Sequence, residues 1–214
     1  MATKDEILTR LLKEENYVSG EELARQTGVS RAAVWKAIKS LKKSGYDIEG
    51  VTKCGYKLKQ NNSLVTAEGV KALLEKDIEV THFDTVDSTN TYCKRLLADG
   101  KQGEFLVTAA KQTAGRGRQG KSFYSPSETG IYFSLVIRPD TSLQNAVTAT
   151  TAAAVAVCKA IEKTTDLKPK IKWVNDVYLN GKKVCGILTE ATTDFESGTV
   201  DSVIIGIGIN ISTT

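Results

Sequence analysis

Between residues 5 and 15 the apolar side chains Ile7, Leu8, Leu11 and Leu12 fall three and four positions apart, which places them on one face of a helix. Ser19, followed three residues later by Glu22, has the form of a capping box and opens a second helix. That helix stops at Thr27-Gly28-Val29, a tight turn containing glycine. Ser30 then caps a third helix whose inner stripe is Ala33, Val34, Ala37, Ile38 and Leu41. Two helices joined by so short a turn have helix-turn-helix spacing. After Gly45, residues 46–59 read as two short strands around 50–55, the wing of a winged helix.

The polar run Gln60-Asn61-Asn62-Ser63 reads as a linker. Beyond it the periodicity predicts helices over 66–76, 90–98 and 146–163, the last one alanine-rich. β-branched or aromatic runs of strand length occupy 105–110, 131–138, 171–179, 184–191 and 200–211. Asn180-Gly181 joins two of these as a hairpin, so the sheet is at least partly antiparallel. The expected class is α+β, with a winged helix-turn-helix over residues 1–62 and a mixed, largely antiparallel sheet with helices over 63–214.

Composition bears on location more than on fold. No apolar run is long enough to span a bilayer, and the polar N-terminus lacks the core and cleavage site of a secretory signal. The expectation is a cytoplasmic protein with no membrane role. Cys54, Cys93, Cys158 and Cys185 lie far apart and read as free, mostly buried thiols. Charge is unevenly distributed: residues 1–60 hold 12 Lys and Arg against 8 Asp and Glu, and the remainder holds 17 against 17. Arg25, Arg31, Lys36, Lys39, Lys42 and Lys43 follow one another with no acid between Glu22 and Asp47. A lone charge run is usually a solvated face. On the second helix of a helix-turn-helix it becomes a phosphate-binding surface, with Ser30, Arg31, Trp35, Lys36 and Lys39 as candidates for the DNA side. Trp35, off the apolar stripe, suits packing at the domain edge nearly as well.

Residues 115–122, GRGRQGKS, satisfy the P-loop pattern. The segment that follows, Phe123-Tyr124-Ser125-Pro126-Ser127, does not open the helix a P-loop needs. What remains is a glycine-rich loop carrying Arg116, Arg118 and Lys121, suited to a polyanion because guanidinium grips phosphate or carboxylate oxygens by paired donors. Such a loop is expected to be mobile when empty, Arg116 and Arg118 gaining partners only when a phosphate arrives.

Five strings occur in one order: Asp87-Ser88-Thr89-Asn90; Gln112 before the GRGRQG of 115–120; Lys172-Trp173-Val174-Asn175-Asp176; Lys183-Val184-Cys185-Gly186-Ile187-Leu188; and Gly206-Ile207-Gly208-Ile209-Asn210. Over residues 80–212 this ordered set resembles the biotin protein ligases. The winged helix ahead of it resembles the bifunctional subgroup that also represses biotin synthesis genes. Val174 stands where the family usually has proline, and Phe123 where it usually has tryptophan. Family members continue past the glycine-asparagine strand into further adenine-contacting elements and a small β-barrel, so the resemblance implies an incomplete ligase domain.

The resemblance implies adenylation of biotin by ATP and transfer to a lysine of a biotin carboxyl carrier protein. Ser88, Thr89 and Gln112 would meet the neutral ureido ring, where short hydroxyls and amides match donors and acceptors without burying an unpaired charge. Arg116, Arg118 and Lys183 would be the catalytic cations that screen the carboxylate and the α-phosphate. Asn90, Gly115, Gly117, Asn175, Gly186 and Asn210 would complete the biotin and adenylate site, and Asp176 would help hold Mg²⁺. Operator DNA and a ligand-promoted homodimer follow as expected partners, the dimer pairing through strand edges near residues 189–191 or 200–205. A ligand-sensing regulator without ligase activity, a P-loop regulator and a lipoate-type ligase are the competing readings.

Overall fold

The computed structural model describes residues 3–59, 65–138, 144–193 and 200–212, the side chains of 144–147 excepted. The expected linker at 60–63 lies outside them. Contacts divide the chain into two compact units, Met1–Asp77 and Ile78–Thr214.

In the first unit, α1 (Thr3–Lys13), α2 (Gly20–Thr27) and α3 (Arg31–Lys43) lead into a hairpin of β1 (Ile48–Val51) and β2 (Gly55–Leu58), and α4 (Ala67–Leu73) follows. Ile7, Leu8 and Leu11 from α1, Leu23 from α2 and the α3 stripe Val34, Ala37, Ile38 and Leu41 form one core. The turn works as its residues suggest. Gly28 ends α2 in the left-handed region at φ 66°, and the Ser30 hydroxyl accepts from Ala33 N at 3.2 Å to begin α3. Only half of the expected capping box forms: Ser19 Oγ accepts from Glu22 N, whereas the Glu22 carboxylate turns to Arg25 and Gln26.

The expected boundary at 62/63 shifts. Helix α4 packs on α1, with Lys4 Nζ donating to Glu68 Oε1 at 2.8 Å and the Tyr46 hydroxyl bonded to Thr66 Oγ1, so the compact units part at Asp77 and Ile78.

The second unit runs β3 (Glu79–Phe83), α5 (Thr89–Ala98), β4 (Phe105–Ala109), β5 (Gly130–Ile137), α6 (Gln144–Thr164), β6 (Lys170–Lys172), β7 (Asp176–Leu179), β8 (Lys182–Thr193) and β9 (Val200–Asn210). These strands form a sheet in the order β3-β4-β5-β9-β8-β7-β6, parallel between β3 and β4 and antiparallel at the other pairings. Strand β9 shows how the sheet is covered. Val203, Ile205, Ile207 and Ile209 pack with Ala154, Val157 and Cys158 of α6, while Ile204 packs with Cys93 of α5. Because side chains alternate along a strand, α5 and α6 sit on opposite faces.

Three strand expectations change. Residues 171–179 are two strands, because Trp173, Val174 and Asn175 form a turn that brings Lys172 opposite Asp176. Residues 79–83, a mixed polar and apolar stretch, form the unforeseen β3. The segment 200–205 is no free edge, since β9 lies between β5 and β8. The other proposed edge stands: β7 pairs with β8 only as far as Gly186, so among the described residues 188–193 of β8 have a strand partner on one side alone. The Asn180-Gly181 hairpin forms with φ 49° and 78°, the positive pair that a type I′ turn requires.

Because the first unit has its own core, Leu8→Ala, at a fully buried position, should destabilise it by about 2–5 kcal/mol. In a Trp173→Phe background, urea unfolding followed by Trp35 fluorescence should shift while circular dichroism of the second unit does not. Equal loss from both units would contradict separate cores.

Candidate functional site

The site face of the sheet is the α5 face, and its floor is backbone. Alternation puts Gly186 and Leu188 of β8 on that face, paired with Gly208 and Gly206 of β9. A methyl group at Gly206 would meet Asn90 Oδ1 at 2.1 Å, and at Gly208 it would meet Phe123 Cε1 at 2.4 Å. The cleft above this floor encloses about 450 Å³, part of it open to solvent. Of the residues singled out in the sequence, Ser88, Thr89, Asn90, Gln112, Arg116, Gly117, Arg118, Asn175, Lys183 and Gly186 line it.

One wall is neutral. Ser88 caps α5, its hydroxyl accepting from Thr91 N at 3.4 Å. Gln112 Oε1 accepts from Thr89 N at 2.9 Å and from Thr89 Oγ1 at 3.2 Å, and Gln112 Nε2 donates to Ser125 Oγ at 2.9 Å. Ser134 Oγ, fully buried on β5, lies 2.7 Å from Thr89 Oγ1 and 2.6 Å from Asn90 Oδ1. Thr89 gives its one hydroxyl proton to Gln112, so the single Ser134 proton is shared between Thr89 Oγ1 and Asn90 Oδ1. Gln112 is half-buried and the others are buried, and all are bonded within the wall, which holds it rigid.

The opposite side is cationic. Arg118 donates to Asn175 Oδ1 at 2.8 Å, and Lys183 Nζ pairs with Asp176 Oδ1 at 2.7 Å. Arg116 reaches Glu190 through both terminal nitrogens, at 3.0 and 3.2 Å. The expectation that Arg116 and Arg118 lack partners in the empty loop is therefore corrected: each has one. The loop is also folded back on itself, with Gly117 N donating to Lys121 O at 2.7 Å and Phe123 N to Gly115 O at 2.8 Å. No helix follows Ser122, so the phosphate cradle of a P-loop is not built here.

Three expected residues lie outside the lining. A side chain on Gly115 would strike Phe123 O at 2.3 Å, so this glycine serves the packing of the loop base. Asp176 stands behind Lys183. Asn210 closes β9 opposite Gly130, its Oδ1 buried and unbonded. Sequence reasoning missed Ser134 and Glu190 as side chains of the site, while Gly206 and Gly208, singled out in the glycine-asparagine string, line the cleft. Burial raises the Glu190 carboxyl, but hydrogen bonds from Lys94 and Asn90 and the charges of Lys94 and Arg116 bring it below its ordinary value. Among the described residues no group of three His, Cys, Asp or Glu side chains could cage a metal ion.

In the first unit Arg31, Trp35, Lys36 and Lys39 stand exposed along α3 behind the Ser30 cap, and Lys39 Nζ lies 5.2 Å from the Trp35 ring centroid. A hollow separates the start of α3 from the wing, bounded by Arg31, Trp35 and Lys53.

The profile of the biotin/lipoate A/B protein ligase family matches residues 82–210, the span that builds this cleft. The chain belongs to that family. An HTH domain profile matches residues 3–57 of this ligase-family chain. It is similar to the bifunctional ligase/repressor BirA of Bacillus subtilis, at 39% identity over 92% of the chain and 61% of that relative. The same-named protein of Escherichia coli is 32% identical over 96% of the chain and 63% of its own length. The chain thus spans about three-fifths of these curated relatives. A biotin protein ligase from Aquifex aeolicus, solved in complex with biotin and ATP, superposes with a TM-score of 0.52 at 32% identity, covering 63% of this chain and 53% of that one.

Asp87, just ahead of the Ser88 cap, receives Arg95 through two bonds of 2.6 and 2.9 Å and accepts Ala114 N on its backbone oxygen at 2.8 Å. Arg95 holds the Asp87 carboxyl at about 2, below its usual 3.8. A depressed carboxyl contributes stability above its unfolded pKa and loses it as pH falls through the folded one. Asp87→Asn should therefore be less stable than the parent at neutral pH, the gap closing between about pH 4 and about pH 2. Urea midpoints across that range check it, and a gap independent of pH would refute it.

Proposed function

We propose that the protein is an ATP-dependent biotin protein ligase that also acts as a biotin-responsive transcriptional repressor. The observation that carries the reading is the division of one cleft into a neutral hydrogen-bonding wall and a cationic side over a backbone floor. Biotin is divided in the same way, into an uncharged ureido ring and a carboxylate tail. A lipoyl group has no ureido ring, and the set of Ser88, Thr89 and Gln112 is suited to one.

In the first reaction an oxygen of the biotin carboxylate attacks the α-phosphorus of ATP. The new O–P bond forms as the bond to the bridging β-phosphate oxygen breaks, giving biotinyl-5′-AMP and pyrophosphate. Two anions must meet, and Arg118 and Lys183 are the cations able to exchange Asn175 and Asp176 for them. Arg116, at the base of the same loop, adds positive potential. In the second reaction the lysine amine of a biotin carboxyl carrier protein attacks the acyl carbonyl, forms the amide with loss of a proton, and releases AMP. A Mg²⁺ ion bound with ATP would supply further screening of its phosphates. Asp176, the carboxylate paired with Lys183, would hold an ion that keeps water and phosphate ligands and takes one or two from protein. Gly115 and Gly117 shape the loop around the phosphates, Asn90 belongs to the neutral wall and Gly186 to the floor, and Asn210 serves the adenosine.

The exposed row of Ser30, Arg31, Trp35, Lys36 and Lys39 reads operator DNA, and the protein works in the cytoplasm, where ATP and DNA are found. Ligand binding draws Arg118 from Asn175 to the phosphate and promotes a homodimer through the free edge of β8, so that two winged helices address two half-sites.

Calorimetry with biotin, lipoate and ATP tests the main reading: biotin should bind and lipoate should not. Binding of lipoate alone, or of neither acid, would overturn it. Arg118→Gly should leave biotin affinity within about twofold while biotinyl-adenylate escapes into solution, because the arginine serves the phosphate. Chromatography of free adenylate decides this, and full retention would contradict it. Asp176→Asn should raise the Mg²⁺ needed for adenylation. On the DNA side, Arg31→Ala and Lys39→Ala should each lower the slope of log affinity against log salt by about 0.9 without altering adenylation. Binding indifferent to salt would remove the surface.

A further inference from the structure

Six side chains around the cleft close a circuit. Arg116 donates to Glu190 at 3.0 and 3.2 Å, and Glu190 Oε2 accepts from Asn90 Nδ2 at 3.0 Å. Asn90 Oδ1 lies 2.6 Å from Ser134 Oγ, which lies 2.7 Å from Thr89 Oγ1, and Thr89 Oγ1 donates to Gln112 Oε1 at 3.2 Å. The chain from Gln112 to Arg116 completes the ring. Glu190 is the one anionic member, and Lys94 Nζ, 2.7 Å from its Oε1, fixes it from the far side. Its side chain is 16% exposed against 42% for Arg116, so the carboxylate is the anchored partner and the arginine the one brought to it.

We infer that Glu190 is a positioning residue that tethers the base of the arginine loop, through Arg116, to the neutral wall of the cleft. On the reading given under Proposed function, the tether holds Arg118 where the phosphates arrive. The two carboxylate oxygens of Glu190 fix the plane and height of the Arg116 guanidinium, and the short hairpin from Gly115 to Phe123 carries that constraint to Arg118 two residues on. Arg116 thereby acts as a strut that contributes potential but not contacts, leaving Arg118 and Lys183 to meet the substrate anions. The biotin wall keeps its bonds without Glu190, since Asn90 Nδ2 also donates to Leu188 O at 3.2 Å.

Hydrogen–deuterium exchange of the ligand-free chain tests the tether directly. Glu190→Gln should speed exchange of the Gly117 and Phe123 amides about tenfold or more while the β9 interior amides of Ile204 and Ile205 stay protected. Arg116→Gln should do the same, and the double variant should add nothing further, because both changes cut one link. Binding should split: ATP affinity falls about tenfold in Glu190→Gln while biotin affinity changes less than twofold. Unchanged loop exchange in both single variants, or effects that sum in the double, would overturn the inference. If Glu190→Gln also exposes β9, Arg116→Gln, which cuts the link from the solvent side, decides alone. Should the unaltered chain bind neither ATP nor biotin, the ligase reading fails while the exchange data still settle the tether.

Discussion

The cleft depends on the absence of side chains from one face of two neighbouring strands. Gly186 and Gly208 pair across β8 and β9, and Gly206 pairs with Leu188 one step along. In a seven-stranded sheet every other residue would normally fill this layer beneath α5. With three positions stripped to backbone, Asn90 and Phe123 can descend to within touching distance of the strands. The cost falls on packing energy that larger residues would have supplied, and it is offset on the other face by the continuous core beneath α6.

Electrostatic order follows from that geometry. Among the described residues the cleft cations each have an internal partner: Asp176 for Lys183, Asn175 for Arg118, Glu190 for Arg116. The partners differ in strength. An amide oxygen gives up a guanidinium more readily than a charged carboxylate does, so the order in which these contacts yield to an anion is built into the choice of residue.

Much of the architecture was legible because it is local. The helix stripes, the Ser30 cap, the left-handed Gly28 and the Asn180-Gly181 turn each act within a few residues, and each appears in the structure. The basic helix and the arginine loop were legible for the same reason. What escaped notice involves distant partners. Glu190 is one acid in a strand and acquires meaning only from Arg116 and Asn90, 74 and 100 residues away in sequence. Ser134 meets residues 44 and 45 positions distant. The turn at 173–175 was hidden because Trp and Val favour strands when judged alone, and α4 joined the first unit through contacts with α1 that no polar linker announces.

The N-terminus of α5 borders the cleft, where its partial positive charge would suit an anion, yet Thr89 N is already satisfied by the neutral oxygen of Gln112 and Thr91 N by Ser88 Oγ. Carrying no net charge, that oxygen caps the helix and leaves its partial positive potential little altered. A guest entering the cleft thus meets positive potential at both ends but open cation donors at only one. On the proposed reading, direction of entry is decided by which donors can still change partners, with an anionic tail against the arginine loop and an uncharged head beside the helix. A cleft of this kind distinguishes the two ends of a guest by availability of protons rather than by sign of charge.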